Sequence, residues 1–149
     1  MLAEYMGEVF NAEIKENKVD LWKYTPADGF KMTTTIRGTT CYEKTVDLEN
    51  IECFFSVRFI AVRYDCREFI IKNCFDDSIE IICDDAEYAV RNHFAEAEHG
   101  VWITRLKLTD FERFEMVLTD ENSLDAKVIK LDKGELMKTW ERYVQDVSI

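Results

Sequence analysis

Alternating apolar and polar residues near the start of the chain predict an antiparallel β-hairpin. Residues 9–15 alternate in this way, a polar turn occupies residues 16–18, and a second alternating run covers residues 19–24. The alternative is a helix, in which one apolar stripe would contain Leu2, Tyr5, Met6, Val9 and Phe10. Gly7 lies inside that stripe and disfavours a helix, so the hairpin is the preferred prediction.

Five further apolar runs predict strands as far as residue 83. They cover residues 30–36, 40–48, 51–64, 68–74 and 79–83. The run at 51–64 is apolar on both faces in places, which is typical of a strand near the centre of a sheet. Residues 65–67 reverse the chain after it, so we expect 68–74 to return antiparallel.

Two segments have the period of an amphipathic helix, residues 85–98 and residues 133–147. The stripe of the first consists of Ala86, Ala89, Val90, His93, Phe94 and Ala97. Asp84 or Asp85 can cap its start, and Gly100 suits its end. The second has Asp132 and Glu135 in capping-box spacing. Its stripe consists of Leu136, Met137, Trp140, Tyr143, Val144 and Val147.

The segment between these helices predicts three more strands. Residues 101–108 and 111–118 are expected to pair as a hairpin across Thr109 and Asp110, and residues 124–131 form the last strand. The predicted fold class is therefore α+β, with a curved, mostly antiparallel sheet of seven to nine strands packed with two helices. A length of 149 residues is that of one ordinary domain, so we expect a single domain over residues 1–149.

Composition predicts a soluble, cytoplasmic protein. The first ten residues carry no basic side chain, and no apolar stretch is long enough for a membrane span. The cysteines are odd in number, and none forms a C-x-x-C pair; they are Cys41, Cys53, Cys66, Cys74 and Cys83. Free, mostly buried thiols in a reducing compartment fit this pattern better than a secreted disulfide framework does.

Negative charge is concentrated in the second half of the chain. The formal net charge is −11, with 12 acidic and 10 basic residues in 1–75 against 18 and 9 in 76–149. Such a field repels nucleic acid and anionic membranes and attracts a basic protein partner. The candidate partner-binding residues are Asp76, Asp77, Asp84, Asp85, Glu87, Glu96 and Glu98, with Asp120 and Glu121 next.

Several catalytic motifs are excluded by the sequence. The five glycines, at 7, 29, 38, 100 and 134, cannot form a Walker A loop, a dinucleotide G-x-G-x-x-G or a G-x-S-x-G elbow. His93 and His99 are six residues apart and would diverge on a helix, so no metal site is predicted. Cys83 precedes the His93 segment, but its acidic neighbours oppose thiolate formation.

One short pattern permits a nuclease. Asp125 and Lys127 have the acid-x-lysine form of metal-dependent nucleases, with Asp110 or Asp120 as a second carboxylate. The acidic surroundings oppose phosphate binding.

The sequence leans away from an enzyme and implies no cofactor. It favours a non-enzymatic acidic protein-binding domain, such as a microbial immunity protein or inhibitor of a nuclease toxin or nucleic-acid-binding enzyme. The alternative is a small-molecule-binding or minor enzymatic domain with an aromatic pocket. The nuclease is third.

Overall fold

A computed structural model describes residues 1–145 of the chain, which form twelve strands and two short α-helices. The strands are β1 (Leu2–Tyr5), β2 (Glu8–Lys15), β3 (Lys18–Lys23), β4 (Lys31–Thr34), β5 (Thr40–Asp47), β6 (Cys53–Arg63), β7 (Glu68–Cys74), β8 (Ser78–Cys83), β9 (Ala95–Glu98), β10 (Val101–Lys107), β11 (Phe111–Asp120) and β12 (Ala126–Leu131). The helices are α1 (Ala86–Arg91) and α2 (Lys133–Trp140), and a π-helical turn follows at Glu141–Gln145. Short 3-10 turns occupy Leu48–Asn50 and Leu108–Asp110.

The chain divides into two compact units. Of the described residues, the first unit contains 1–57, 118–126 and 139–145, and the second unit contains 58–117 and 127–138. The expectation of a single domain over residues 1–149 stays a prediction. No helix in residues 1–145 is long and apolar enough to cross a membrane.

Strands of the first unit pair antiparallel in the order β4-β5-β3-β2-β1-β6. The predicted hairpin is confirmed, because β2 pairs with β3 across a turn at residues 16–17. The helical alternative for the N-terminus is wrong, since Leu2–Tyr5 is a strand and Gly7 adopts a positive φ in the turn that follows it. The core of this unit includes Phe10, Val19 and Leu21, which are fully or almost fully buried.

In the second unit the strand order is β6-β7-β8-β10-β9, again antiparallel. The residues 51–64 were predicted to lie near the centre of a sheet, and β6 does pair with both β1 and β7. Strand β11 pairs with β6 and β12. The α+β class is therefore confirmed, with 56% strand and 17% helix, but the predicted number of seven to nine strands is too low.

The prediction of a helix over residues 85–98 is wrong beyond Arg91. The chain leaves the helix at Asn92, and His93 adopts a left-handed φ of 63° that an α-helix does not allow. Residues 95–98 then form β9, an edge strand paired with β10, in which all four side chains are exposed. Gly100 lies in the β9–β10 turn and ends no helix.

The predicted hairpin between residues 101–108 and 111–118 does not form. Strand β10 pairs with β8 and β9, whereas β11 pairs with β6 and β12. The 3-10 turn at Leu108–Asp110 redirects the chain between them, and the Leu108 amide donates a hydrogen bond to the carbonyl oxygen of Asp77. Two strands with a short link therefore take separate partners.

The start of α2 agrees with the predicted capping box. The Glu135 amide donates to Asp132 Oδ1 at 2.7 Å, and the Asp132 amide donates to Glu135 Oε1 at 3.1 Å. Leu136 and Trp140 are buried, as the apolar stripe predicted. The α-helix ends at Trp140, earlier than residue 147, and Val147 lies outside the described residues.

Candidate protein-binding surface

A row of isoleucines crosses the sheet of the second unit. Ile70 on β7 is paired directly with Ile82 on β8, and Ile82 is paired directly with Ile103 on β10. Directly paired residues place their side chains on the same face of a sheet. Ile70 is 46% exposed, and the other two are partly buried. Ile60 on β6 is also paired directly with Ile70, but it is buried with Val62 and Val117, so the accessible part of this line of isoleucines begins at Ile70. We call Ile70, Ile82 and Ile103 the isoleucine row.

The opposite face of these strands is a closed apolar core. Phe69 and Ile81, which neighbour the row in sequence, are buried there because successive strand residues alternate between faces. The Phe69 ring lies 5.5 Å from Tyr88 of α1 and 6.0 Å from Phe94, centroid to centroid. Helix α1 therefore contributes to the core face, and the isoleucine row belongs to the other face.

Carboxylates follow one side of the isoleucine row. Glu68 lies two residues before Ile70 on β7, and Asp84 lies two residues after Ile82. Glu98 on β9 is paired with Val101, which lies two residues before Ile103 on β10. All three carboxylates are exposed. We call Glu68, Asp84 and Glu98 the acidic border. An apolar centre beside charged residues that remain in water is the usual composition of a protein-binding surface.

Charges of both signs lie along the other side of the row. Glu80 accepts a hydrogen bond from Asn73 Nδ2 at 3.0 Å and lies 4.0 Å from the Lys72 ammonium. Arg105 is paired directly with Glu80, donates to Ser78 Oγ at 2.8 Å and stacks 3.7 Å from the centroid of Phe75. These charges have partners within the unit, so the two sides of the row differ electrostatically.

A cleft of about 230 Å³ opens between Ile70 and Ile82 and the carboxylates on the acidic side of the isoleucine row. Ile70 and Ile82 line it with three acidic residues, Glu68, Asp84 and Asp85. Its lining also includes Phe69, Cys83 and Arg67, and the Arg67 guanidinium is paired with Asp85. The cleft therefore joins exposed apolar surface to the acidic border, which gives an incoming side chain a place to insert.

The seven acidic residues that the sequence analysis proposed first as partner-binding residues, Asp76, Asp77, Asp84, Asp85, Glu87, Glu96 and Glu98, do not form one cluster. All seven are exposed. Asp76 and Asp77 precede β8, whereas Asp84, Asp85 and Glu87 follow it. Because an extended chain rises about 3.3 Å per residue, Asp77 and Asp84 are about 23 Å apart along β8, and the two groups are separate. Glu96 is paired with Trp102, which is itself paired with Cys83, so Glu96 and Glu98 lie toward the second group.

Three members of the second group have structural partners. Asp85 caps α1 by accepting from the Tyr88 amide at 3.1 Å, and it also accepts from Arg67 Nη1 at 3.0 Å. These two bonds hold the pKa of the Asp85 carboxyl below its ordinary value. Glu87 lies 3.5 Å from the Arg91 guanidinium, and Glu96 accepts from the Gly100 amide at 3.4 Å. Asp84 and Glu98 are therefore better placed to meet a partner.

Asp120 and Glu121 belong to the first unit. Asp120 Oδ1 accepts from the amides of Asn122 and Ser123 at 2.8 and 2.9 Å, and these bonds lower the pKa of its carboxyl. Asp120 thus shapes its own turn. The Glu121 amide donates to the carbonyl oxygen of Phe54, and its side chain is exposed.

The candidate catalytic residues are not assembled around a metal. Among residues 1–145, no three His, Cys, Asp or Glu side chains are placed to hold an ion together. His93 is exposed, although the sequence analysis placed it on the apolar stripe of a helix. Cys83 is buried, and its thiol donates to the carbonyl oxygen of Asp85 at 3.5 Å. Asp125 lies in the turn that the Asp120 carboxylate stabilises, and its amide donates to Ser123 Oγ.

The first unit contains a separate groove of about 900 Å³. Trp22 and Tyr24 line it together with threonines and charged residues, so it is not an enclosed apolar pocket. On one wall the Lys15 ammonium lies 2.8 Å from Asp20, whose carboxylate also accepts from Thr45 Oγ1 at 2.6 Å. The lysine and the hydroxyl lower the pKa of the Asp20 carboxyl.

Sequence reasoning missed the isoleucine row. Its local signal is the doublets Ile70-Ile71 and Ile81-Ile82, in which an apolar residue occupies both faces of a strand. The doublets alone do not show that Ile103 completes the row, because that depends on the pairing of β8 with β10.

No protein-family model, no curated protein and no solved structure matches this chain.

Proposed function

We propose that the chain is a non-enzymatic protein-binding domain whose second unit binds a basic protein partner. The observation that carries the proposal is the isoleucine row beside the acidic border on one face of one sheet. Apolar contact supplies affinity when water leaves the isoleucines, and the carboxylates select a cationic partner and accelerate encounter. Neither feature alone would provide both.

The charge of the chain supports the choice of partner. With a formal net charge of −11, the chain repels polyanions, and its field steers cations toward the acidic border. One natural form of such a protein is a cytoplasmic inhibitor or microbial immunity protein that covers the cationic site of a nuclease toxin or nucleic-acid-binding enzyme. Such a partner must expose basic residues next to apolar ones.

Capture from cells of the source organism tests the proposal with three matched baits. These are the wild-type chain, the border double Glu68→Lys/Asp84→Lys, and the control double Asp76→Lys/Asp77→Lys, which makes the same charge change at the other end of β8. We expect the wild type and the control double to enrich a protein with a basic surface, and the border double to lose it.

Two results would overturn the proposed function. The first is an identical set of captured proteins for all three baits, which would show that the border selects nothing. The second is a set of wild-type-specific partners whose surfaces are acidic or neutral, because the acidic border would then oppose binding. Circular dichroism of each bait verifies that it is folded.

The groove of the first unit supports a second candidate function, which is binding of a small polar molecule. Its volume is in the range of ligand sites, and Trp22 and Tyr24 offer aromatic surface among polar side chains. Screening a fragment library by NMR tests it. Selective shifts of the Trp22 indole signal, with those of Trp102 and Trp140 unchanged, would support the groove, and shifts elsewhere would reject it.

A further inference from the structure

The spacing of the isoleucine row restricts the secondary structure of whatever binds it. Ile70, Ile82 and Ile103 lie on three adjacent strands, so each step along the row is about 4.8 Å and the whole row spans about 9.6 Å. The row runs perpendicular to the strands. A partner that contacts all three isoleucines must therefore present apolar side chains at that interval along a line across the sheet.

An α-helix lying along the row meets this requirement better than a single extended strand lying along it. Residues at i, i+3 or i+4, and i+7 share one helical face and are separated by about 5 and 10.5 Å along the axis. Side chains on one face of a strand repeat every two residues, about 6.7 Å, and so reach about 13.4 Å after two steps. The distance from the first to the third apolar residue therefore exceeds the length of the isoleucine row by about 1 Å for the helix and by about 4 Å for the strand.

The position of the charges adds an orientation. The acidic border runs along one side of the row, while Lys72, Glu80 and Arg105 on the other side already have partners. A helix lying over the isoleucines would gain from lysine or arginine on the flank that faces Glu68, Asp84 and Glu98. Basic residues on the other flank of the helix would lie beside the cations Lys72 and Arg105, so their electrostatic attraction to the sheet would be weaker.

We propose that the occupant of this face is an amphipathic, basic α-helix of the partner, lying across β7, β8 and β10. Its apolar residues at i, i+3 or i+4, and i+7 cover the isoleucine row, and its basic residues face the acidic border. This inference rests on the proposed function and names the element of the partner that is bound. A second copy of this chain is a poorer occupant, because two chains of charge −11 repel each other.

Three synthetic peptides of equal composition, each about 15 residues of leucine, lysine and alanine, test the inference. The first has leucines at helical spacing with lysines on one flank, the second alternates leucine and lysine as a strand would, and the third is scrambled. Each is titrated into the full chain, and isoleucine methyl signals are followed by NMR. Ile79 and Ile81 on the core face are internal controls.

We expect the helical peptide to bind at least tenfold more tightly than the other two and to shift the methyl signals of Ile70, Ile82 and Ile103. Ile70→Glu should weaken its binding at least tenfold. The matched control is Ile14→Glu, since Ile14 is an equally exposed strand isoleucine of the first unit, 44% against 46%. Ile14→Glu should leave the binding within about twofold, because the variant keeps the isoleucine row intact.

The opposing results are distinct from failure of the proposed function. Tighter binding of the alternating peptide would indicate an extended partner segment, and equal binding of all three would indicate charge alone. Methyl shifts that depend only on protein concentration, with dimers in sedimentation, would indicate a second copy. Absence of binding by the helical peptide at millimolar concentration would also overturn the inference. In each case the three-bait capture still decides whether a basic partner uses this face.

Discussion

Ile70 and Ile82 are paired directly across β7 and β8, and their side chains lie on the face of the sheet opposite Phe69 and Ile81. The pair places apolar side chains where one of them is nearly half exposed, beside the cleft that Glu68 and Asp84 also line. An exposed isoleucine stabilises a fold less than a buried one does, so the exposure of Ile70 can be tested by measuring the free energy of unfolding.

Truncation of Ile70 should lower the free energy of unfolding much less than truncation of a core isoleucine. We expect Ile81→Ala to lower the free energy of unfolding by about 2–5 kcal/mol, because Ile81 is fully buried. Ile70→Ala should lower it by about 1 kcal/mol or less, which is the range of strand propensity at an exposed position. Urea denaturation measures both. Equal losses would show that Ile70 belongs to the core and not to a binding surface.

Acid should remove the contribution of the Asp85 carboxylate to the stability of the folded protein. Its folded-state pKa is lowered by the Tyr88 amide and by Arg67, so its stabilisation is complete above the ordinary aspartate pKa and disappears as pH falls through the folded value. Asp85→Asn retains a good N-cap but loses the charge that pairs with Arg67. We expect this variant to have a lower urea midpoint than the wild type at neutral pH, and an equal one in strong acid.

Asp84→Asn is the matched control for this pH effect. Asp84 is an exposed neighbour that does not cap α1. The difference between its urea midpoint and that of the wild type should be small at every pH. A gap between wild type and Asp85→Asn that persists in strong acid would contradict the electrostatic explanation and point to the geometry of the cap instead.

The second helix depends on one large side chain. Trp140 is 5% exposed at the end of α2, and we expect Trp140→Ala to lower the free energy of unfolding by about 3–5 kcal/mol. Lys138→Ala, at an exposed position of the same helix, should change it by about 0.5 kcal/mol at most. Thermal or urea denaturation compares the two, and a small loss for Trp140→Ala would contradict its burial.

The five thiols should react at different rates. Cys41, Cys74 and Cys83 are buried, Cys53 is partly buried and Cys66 is exposed, and no disulfide joins them. Burial and the adjacent Glu4 carboxylate also raise the pKa of the Cys53 thiol. Alkylation of the native protein should label Cys66 first, and all five cysteines should be labelled after denaturation. Mass spectrometry counts the labels. Rapid native labelling of Cys74 or Cys83 would contradict the core packing.

Local patterns predicted those parts of the fold that local physics determines. The alternation around Phe10 and Ala12 identified β2 because one face of that strand is buried and the other is in water. The spacing of Asp132 and Glu135 identified the start of α2, because the capping box is completed within four residues. Neither prediction depended on distant partners.

Non-local pairing determined what the sequence did not predict. The period of residues 85–98 suits a helix, but the chain turns at His93 and Ala95–Glu98 pairs with β10. Strand β11 follows β10 after three residues and nevertheless pairs elsewhere. The candidate acids were identified by charge, which is visible in the sequence. Their separation by β8, and the isoleucine row beside some of them, follow from strand order and register.

Association kinetics with the captured basic partner test the central claim most directly. Stopped-flow mixing at low salt compares the wild type, the border double Glu68→Lys/Asp84→Lys and the control double Asp76→Lys/Asp77→Lys. We predict association at least about tenfold slower for the border double, within about threefold of wild type for the control double, and a difference that shrinks as salt rises. Equal slowing by both doubles would show that net charge alone is sensed, and no slowing by either would show that the acidic border is not the binding face.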